Sequence, residues 1–463
     1  MISFVNHYYF RTYALDLGLY TNALYKYGHF VMADNLMIKE NYESILGGHF
    51  DLYLMLFSPF IYLFGTATLL VVQIAFLLIG GVGIFNYFKI KENDSPKIAY
   101  FAIIYFFLFF GVFSALSFDY HSVVVASSLI PWFFYHFYKQ KYIQASILFL
   151  LILISQENVS LFLIFIFLGL MIEFRKNKVA LYLLSIYSVF SFIYFIVVIQ
   201  ILIPYYSKQE SYTGFLFSAL GDTPLEAIKN LISHPIQNFK FLFINHTNHP
   251  LGHLVKRDTH LAILASGLFL LFFKPYYLLM LLPIYGQKFY HDGIINWGRT
   301  AQYSIEFAPI LAIGVFSVIV DLKNKLLKNG ALILVMIGVI SVTIDLIEND
   351  TPFLNESNIK FYGKSHYTKE YDVKVVYKQL SLIPENAKIS SQSSFIPHLV
   401  LRDNIYQFPI IKDAEYIIFS TKESSYPLSS EDFLKEIDEL ISSKEWRIKF
   451  KNNHFTILRK VKR

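Results

Sequence analysis

Residues 66–88 read TATLLVVQIAFLLIGGVGIFNYF. No charged side chain interrupts them, and a bilayer core needs roughly 20 apolar residues per helix. The run therefore predicts a membrane-spanning helix. Runs of the same kind follow at 97–117, 119–138, 178–203, 302–320 and 331–347. Shorter ones lie at 50–64, 143–154, 158–172, 260–273 and 276–286. The fold class this predicts is an all-α polytopic membrane protein of about nine to eleven membrane segments, carrying a small C-terminal α/β domain.

Composition points the same way. Of 463 residues, 55% are hydrophobic and 16% charged, and the mean hydropathy is +0.45. A soluble chain of this length needs more polar surface. The 47 Phe suit lipid contact and the 34 Tyr suit the membrane interfaces. The absence of cysteine excludes disulfides, thiolate catalysis and Cys-ligated metals. The net charge of +6 is modest. It fits basic cytoplasmic loops, and no nucleic-acid partner is expected. Residues 1–11 hold Asn6, His7, Tyr8 and Tyr9 where a cleavable signal peptide would have an apolar core.

Basic residues orient the spans. Short basic loops are marked by Lys89, Lys91 and Lys97, by Lys139 and Lys141, and by Arg175, Lys176 and Lys178. Lys274 and the group Lys323, Lys325 and Lys328 complete the set. The positive-inside rule puts all of these in the cytoplasm. Segment 143–172 then begins and ends inside, so it must go out and return, turning at Ser155-Gln156-Glu157-Asn158. Residues 204–259 and 287–301 become external loops, as does everything after about residue 348. Segment 50–64, with Asp51 and Pro59, reads as a short helix dipping into the outer leaflet, which leaves 1–49 outside. An external N-terminus with no span before it predicts that a first helix precedes Met1.

The expected division is a membrane domain, 1–349, and an extracytoplasmic α/β domain, 350–463, both belonging to a protein of the cytoplasmic membrane. The membrane domain would include an external amphipathic region, 1–64, and an external loop, 204–259. In the tail, short β-like runs at 388–391, 416–420, 446–451 and 454–459 surround a helix-like stretch, 430–442. Its apolar positions are Phe433, Ile437 and Leu440.

Several polar residues stand where chemistry could occur. Leu17, Tyr20, Leu24 and Tyr27 recur at helical spacing and predict an amphipathic helix on the membrane surface. Asp16, at its start, either faces a cavity as a base for an acceptor hydroxyl or caps the helix. His49 and Asp51 flank Phe50. Positions i and i+2 do not share a helix face. An extended turn would let both reach a cavity, while a regular interfacial segment would make them anchors. Asp119 and His121 stand at the external start of a span, and Glu157 at an external turn. A carboxylate at mid-membrane costs about 2.5–3.5 kcal/mol, so such groups face a wet cavity, a partner or solvent.

Arg299, Gln302, Tyr303 and Glu306 form the last cluster, with the latter three on one side of a helix by spacing. The Arg299 guanidinium offers paired donors to a phosphate; the alternative is an ion pair with Glu306 or a lipid-headgroup contact. His246, His249, His253 and His260 have the look of a metal set, but Pro250 interrupts their spacing. No metal site is assigned, and a divalent cation is the one cofactor left open. There is no GxGxxG, P-loop, HExxH or GxSxG motif.

The motifs ALDLGLYTNALYKYG, GGHFDLYLMLFSPFIYLFG, SFDYHS, SQEN, LGDTPLEAIKNLISHP, KPYYLLMLLPIYGQ and QYSIEFAPILAIG occur in this order. With IPENAKISSQSSFIPHLVLRDNIYQFP and AEYIIFS in the tail, the chain resembles the prokaryotic membrane family catalogued as domain of unknown function twenty seventy-nine. The resemblance covers nearly the whole chain and departs at the N-terminus, where relatives usually carry a helix before the Asp-Leu-Gly segment. That family is distantly similar to integral-membrane glycosyltransferases of the C-type fold. The resemblance implies an inverting transfer from a polyprenyl-phosphate-linked sugar at the outer face, with membrane lipid as the other partner and the acceptor unspecified. On that reading Asp16, His49 and Asp51 are catalytic, and Arg299, Tyr303, Gln302, Glu157, Asp119 and His121 bind substrate. The competing readings are a transporter or lipid flippase, for which the matching repeats are missing, and a non-catalytic envelope assembly protein.

Overall fold

The computed structural model describes residues 1–91, 96–209, 214–349 and 351–461. The deciding run forms one helix, Thr68–Lys91. Its Gly80 lies against Ser128 of the helix Ser122–Tyr138, where a Cβ would come within 3.0 Å of the Ser128 backbone. The two helices therefore meet nearly backbone to backbone, the close packing that small residues allow between membrane helices.

The run 97–117, expected as one span, is two helices, Lys97–Leu108 and Phe110–Ser117, bent by 41°. Phe109 between them has extended backbone, and Thr343 Oγ1 donates to the Leu108 carbonyl that the break frees. The run 302–320 also starts late. Its helix is Phe307–Asp321, and residues 301–306 form turns. Among the described residues, three helical stretches are long and apolar enough to cross a membrane: Tyr53–Lys91, Lys178–Ser207 and Lys325–Glu348. The bent pair makes a fourth if it is one span. The shorter apolar helices Ser122–Tyr138, Tyr142–Leu153 and Phe307–Asp321 pack among them.

Segment 143–172 is broken as its polar turn requires, into Tyr142–Leu153 and Glu157–Glu173. Its two ends lie together. Asn177 Nδ2 donates to the Tyr142 hydroxyl at 3.4 Å, and the Phe137 ring meets both Tyr142 and Phe174. The same end of the bundle carries Lys91 against Glu173 (3.4 Å) and Lys274 against Asp321 (2.6 Å), both lysines also bonding Ser317. Basic loops from four parts of the sequence thus gather at one end, and Glu157 lies at the other.

At that other end, the helix Leu19–Gly28 is packed into protein. Leu24 and Tyr27 are buried, and Asn22 Nδ2 donates to the carbonyls of Val400 and Arg402 at 2.8 and 3.0 Å. Its apolar face has protein on both sides, the bundle below and the C-terminal domain above, which removes the reason for it to seek lipid.

The C-terminal domain holds a five-stranded sheet in the order β2-β1-β3-β5-β4. The strands are β1 Ile389–Ser391, β2 Ile405–Gln407, β3 Tyr416–Ser420, β4 Trp446–Lys451 and β5 Phe455–Lys460. β1 pairs in parallel with β2 and β3, Ile389 standing opposite both Ile405 and Tyr416, while β5 runs antiparallel to β3 and β4. The helix Ser430–Ser442 is capped by Ser429, which accepts from Asp432 N, and packs Phe433 and Ile437 on the sheet. The division expected at 350 falls on a residue outside the described ones.

The carboxyl ends of the parallel strands point at the N-terminal segment. Gln407 N donates to Met37 O at 2.7 Å, and Ser393, just past β1, meets Ala14. One apolar core joins Phe10, Leu17 and Leu24 to Ile389, Ile396 and Ile418. Arg11 reinforces the joint by donating to four backbone carbonyls, of Ser357, Ser365, His366 and Thr368, at 2.6–3.2 Å.

Candidate active site

Asp16 sits in a wide five-residue turn, Ala14–Gly18, that leads into the helix Leu19–Gly28. It is not a cap; its side chain makes no capping bond. The turn is held from two sides. Asp119 Oδ2 accepts from Tyr13 N (2.9 Å) and Leu17 N (3.3 Å), and Ser393 Oγ accepts from Ala14 N (3.0 Å). Gly18 is required by the approach of the C-terminal domain, since a Cβ there would lie 2.9 Å from Ile396 Cγ2. Held this way, the Asp16 carboxylate keeps 20% of its side chain accessible and places Oδ1 3.6 Å from His121 Nε2.

The ionisation of this pair is unequal. Burial pushes Asp16 up to about 6, and the charge of His49 opposes the rise. Burial, aided by the charge of His49, pushes His121 down to about 3. The imidazole of His121 is therefore neutral, and its contact with Asp16 is polar rather than a salt bridge. His121 is fixed by Gln73, whose Oε1 accepts from the His121 backbone N–H at 3.0 Å. Among the described residues its Nδ1 has no hydrogen-bond partner. Burial also pushes Asp119 well above the ordinary carboxylate range.

A second dyad lies within electrostatic reach of Asp16. His49 Nδ1 donates to Glu157 Oε1 at 2.8 Å, and Phe50 N donates to Glu157 Oε2 at 3.2 Å. Glu157 opens the helix Glu157–Glu173, where the exposed N–H groups favour a carboxylate. His49 has protein around it yet keeps 49% of its side chain accessible, as a group lining a recess does. The Glu157 carboxylate is the main cause that pushes His49 up to about 9, with Asp51 and Asp16 adding to it against burial. At neutral pH His49 is an imidazolium. Tyr20 and Tyr303 belong to the same neighbourhood. The charge of Asp16 raises both hydroxyls beyond what burial does, that of Tyr303 to about 12.

The remaining candidates are Asp51, beside this group, and the Arg299–Glu306 stretch. Asp51 is buried, and its carboxylate accepts from Tyr53 N (2.9 Å) and from Ser122 Oγ. It braces the start of the helix Tyr53–Phe57, and burial pushes it up to about 7. Gln302, Tyr303 and Glu306 do not share a helix face, because the chain there is turned; Glu306 precedes the helix Phe307–Asp321. The turn is folded around Lys288, whose Nζ donates to the carbonyls of Asn296, Gly298 and Tyr303 at 2.6–2.8 Å. Arg299 pairs with neither Glu306 nor the Asp16 group. Its Nη1 meets Asp345 Oδ2 at 2.7 Å, and Ser114 Oγ donates to its backbone carbonyl. Those two ties aim the guanidinium along the helix Lys325–Glu348, which corrects the expectation that it converges on Asp16.

Of the four histidines expected as a possible metal set, His246 and His260 are packed against neighbours and His253 is exposed. Lys256 Nζ contacts His246 Nδ1 at 3.2 Å, and the His260 ring stacks on Phe289. Among the described residues, no three His, Cys, Asp or Glu side chains are placed to hold a metal ion. Asp16 and His121 offer two donors between them. Sequence reading missed Tyr20, Gln73, Ser122, Lys288 and Ser393. Two of these carried a signal: Gln73 interrupts a charge-free span, and Lys288 is a lone charge in an apolar helix.

No curated protein matches the chain. The family model described as predicted membrane protein (DUF2079) matches residues 6–456. Since that match takes in the membrane helices, the Asp16 turn and the C-terminal sheet alike, the chain belongs to this family of membrane proteins.

Proposed function

We propose that the protein is an inverting glycosyltransferase that moves a sugar from a polyprenyl-phosphate carrier to a hydroxyl acceptor at the outer face of the cytoplasmic membrane. The observation that carries this reading is the placing of two carboxylate–histidine pairs, Asp16–His121 at 3.6 Å and Glu157–His49 at 2.8 Å, within electrostatic reach of each other, with Asp16 raised to about 6 and His49 to about 9. Between those values Asp16 is ionised and His49 charged, which is the state an acid–base pair needs.

Asp16 takes the proton of the acceptor hydroxyl as its oxygen bonds to the anomeric carbon. The bond from that carbon to the carrier phosphate oxygen breaks on the opposite side, and the electron pair leaves with the phosphate. His49, held cationic by Glu157, offers charge and a proton to that oxygen. This gives His49 the role first expected of Arg299. The outer-face assignment rests on the basic loops at the far end of the bundle, and it puts the C-terminal domain outside the cytoplasm.

The test has two parts. Removal of the protein should change a glycan and raise its polyprenyl-phosphate sugar. In membranes, Asp16→Asn should slow transfer about 10²–10⁴-fold, and the wild-type rate should fall below about pH 6 and above about pH 9. Undiminished transfer by Asp16→Asn, or an unchanged lipid-linked sugar pool on removal, would sink the proposal.

A further inference from the structure

The loop between the membrane helix Lys178–Ser207 and the helix Gly252–Ala265 holds a helical hairpin, Pro224–Ser233 followed by Pro235–Phe241. Its first helix is strongly specified. Thr223 Oγ1 accepts from Glu226 N (3.2 Å), Glu226 Oε2 accepts from Asp222 N (2.9 Å), and Pro224 fills the first turn. This is a variant of the capping box, with Glu226 reaching the N–H of Asp222 instead of that of the cap residue. A helix so encoded has a defined face.

That face is inverted. The hairpin is held together by polar groups: Asn238 Nδ2 donates to Asn230 O at 2.6 Å, and Asn230 Nδ2 to Leu220 O at 2.7 Å. The apolar side chains point away from the protein. Leu225, Ile228 and Ile232 follow i, i+3, i+7 spacing, and so do Ile236, Phe239 and Phe243. All six are between 51 and 77% exposed. Glu226, Lys229 and Ser233 form a polar stripe turned about 100° from the apolar stripe of the first helix. A water-facing hairpin would be built the other way round.

We infer that this hairpin lies in the membrane interface, with its two apolar stripes buried in the lipid leaflet and Lys229 at headgroup level. The lipid is favoured over a protein partner by continuity. Phe243 stacks on His260 of the helix Gly252–Ala265 (ring centroids 4.7 Å), and that helix goes on to expose Leu261 and Leu264 before the apolar stretch Leu268–Phe273. The stripe thus extends the apolar flank of the bundle, and the hairpin follows the membrane helix Lys178–Ser207 in the chain. The inference does not depend on the transferase reading.

The chain has no cysteine, so single cysteines can carry a nitroxide in the full-length protein. Ile232→Cys and Phe239→Cys test the apolar side, and Glu226→Cys and Ser233→Cys the polar side. All four are reconstituted in phosphatidylethanolamine–phosphatidylglycerol vesicles, with a water-soluble nickel chelate on both faces. The expected result is relaxation at 232 and 239 at least threefold more by oxygen than by nickel, and the reverse at 226 and 233. Nickel dominance at all four positions would overturn the inference in favour of a water-facing loop. Poor access of both reagents to 232 and 239 would overturn it in favour of a protein partner or a second copy. Ile232, Phe239 and Ser233 are exposed, so those three substitutions disturb no packing; Glu226→Cys gives up the bond from Asp222 N, and a Lys229→Cys label, expected to sense nickel, keeps the polar stripe tested if that loss unwinds the first turn.

Discussion

Replacing Glu157 with Gln removes a charge and little else. Glu157 lies 2.8 Å from His49 Nδ1 and is the main cause of that histidine's rise to about 9. Without the carboxylate charge, His49 should return to the ordinary 6.5 or below, since burial pulls it down. At pH 7.5 the charged fraction would then fall from about 97% to about 9%. If charge on His49 assists the leaving phosphate, transfer at pH 7.5 should drop about tenfold. At pH 6 the charged fraction recovers to about three quarters of the wild-type value, and the rate should recover with it. The assay is the pH profile of transfer from a polyprenyl-phosphate sugar in membranes. Its alkaline limb should move from about 9 to about 6.5 or lower. The sign for stability follows from the same shift. A histidine raised in the folded state contributes fully below 6.5 and loses that contribution as the pH rises through about 9. Wild type should therefore lose stability over that window relative to Glu157→Gln. An alkaline limb that stays near 9 in the variant would refute the coupling of His49 to Glu157.

Three further outcomes follow from the packing. Arg11→Ala strands four backbone carbonyls and should cost about 3–5 kcal/mol in chemical unfolding, with new proteolytic cleavage between 351 and 371. Gly18→Ala should cost about 1–3 kcal/mol by displacing Ile396; Ile396→Ala in the same chain should recover part of it. Arg299→Ala should leave donor binding unchanged, and a double-mutant cycle with Asp345→Ala should give a coupling of about 0.2–1 kcal/mol, because Asp345 is nearly half exposed.

The parts of the fold that were legible are those set by local pattern. The charge-free run 66–88 gives one helix because nothing in it can leave the bilayer, and Ser155-Gln156-Glu157-Asn158 gives a turn because polar groups end an apolar run. The break at Phe109 was not legible. It depends on Thr343, more than 200 positions away, to satisfy the Leu108 carbonyl. β2, only three residues long, owes its existence to its neighbour β1. Asp16, His49, Glu157 and His121 stood out as charges near apolar runs, and they share one neighbourhood. Arg299 was read from side-chain chemistry alone, and chemistry does not say which way a guanidinium points.

Asp16 owes its position to both halves of the chain. Asp119, from the membrane bundle, takes two backbone N–H groups of its turn, and Ser393, from the tip of the parallel sheet, takes a third. In doubly wound sheets the carboxyl ends of parallel strands are where ligands bind. Here the order β2-β1-β3 sets its reversal beside β1, and the loop that leaves β1 bonds the chain's own N-terminal turn. The sheet thus acts on the site through the backbone that presents Asp16. A shift of about 1 Å at a reacting group can cost 10²-fold in rate, so the angle at which the C-terminal domain seats on the bundle bears directly on the base. On this view the domain is a structural wall of the recess, and the buried Arg11 and the bare Cα of Gly18 are what let it close so tightly against the membrane helices.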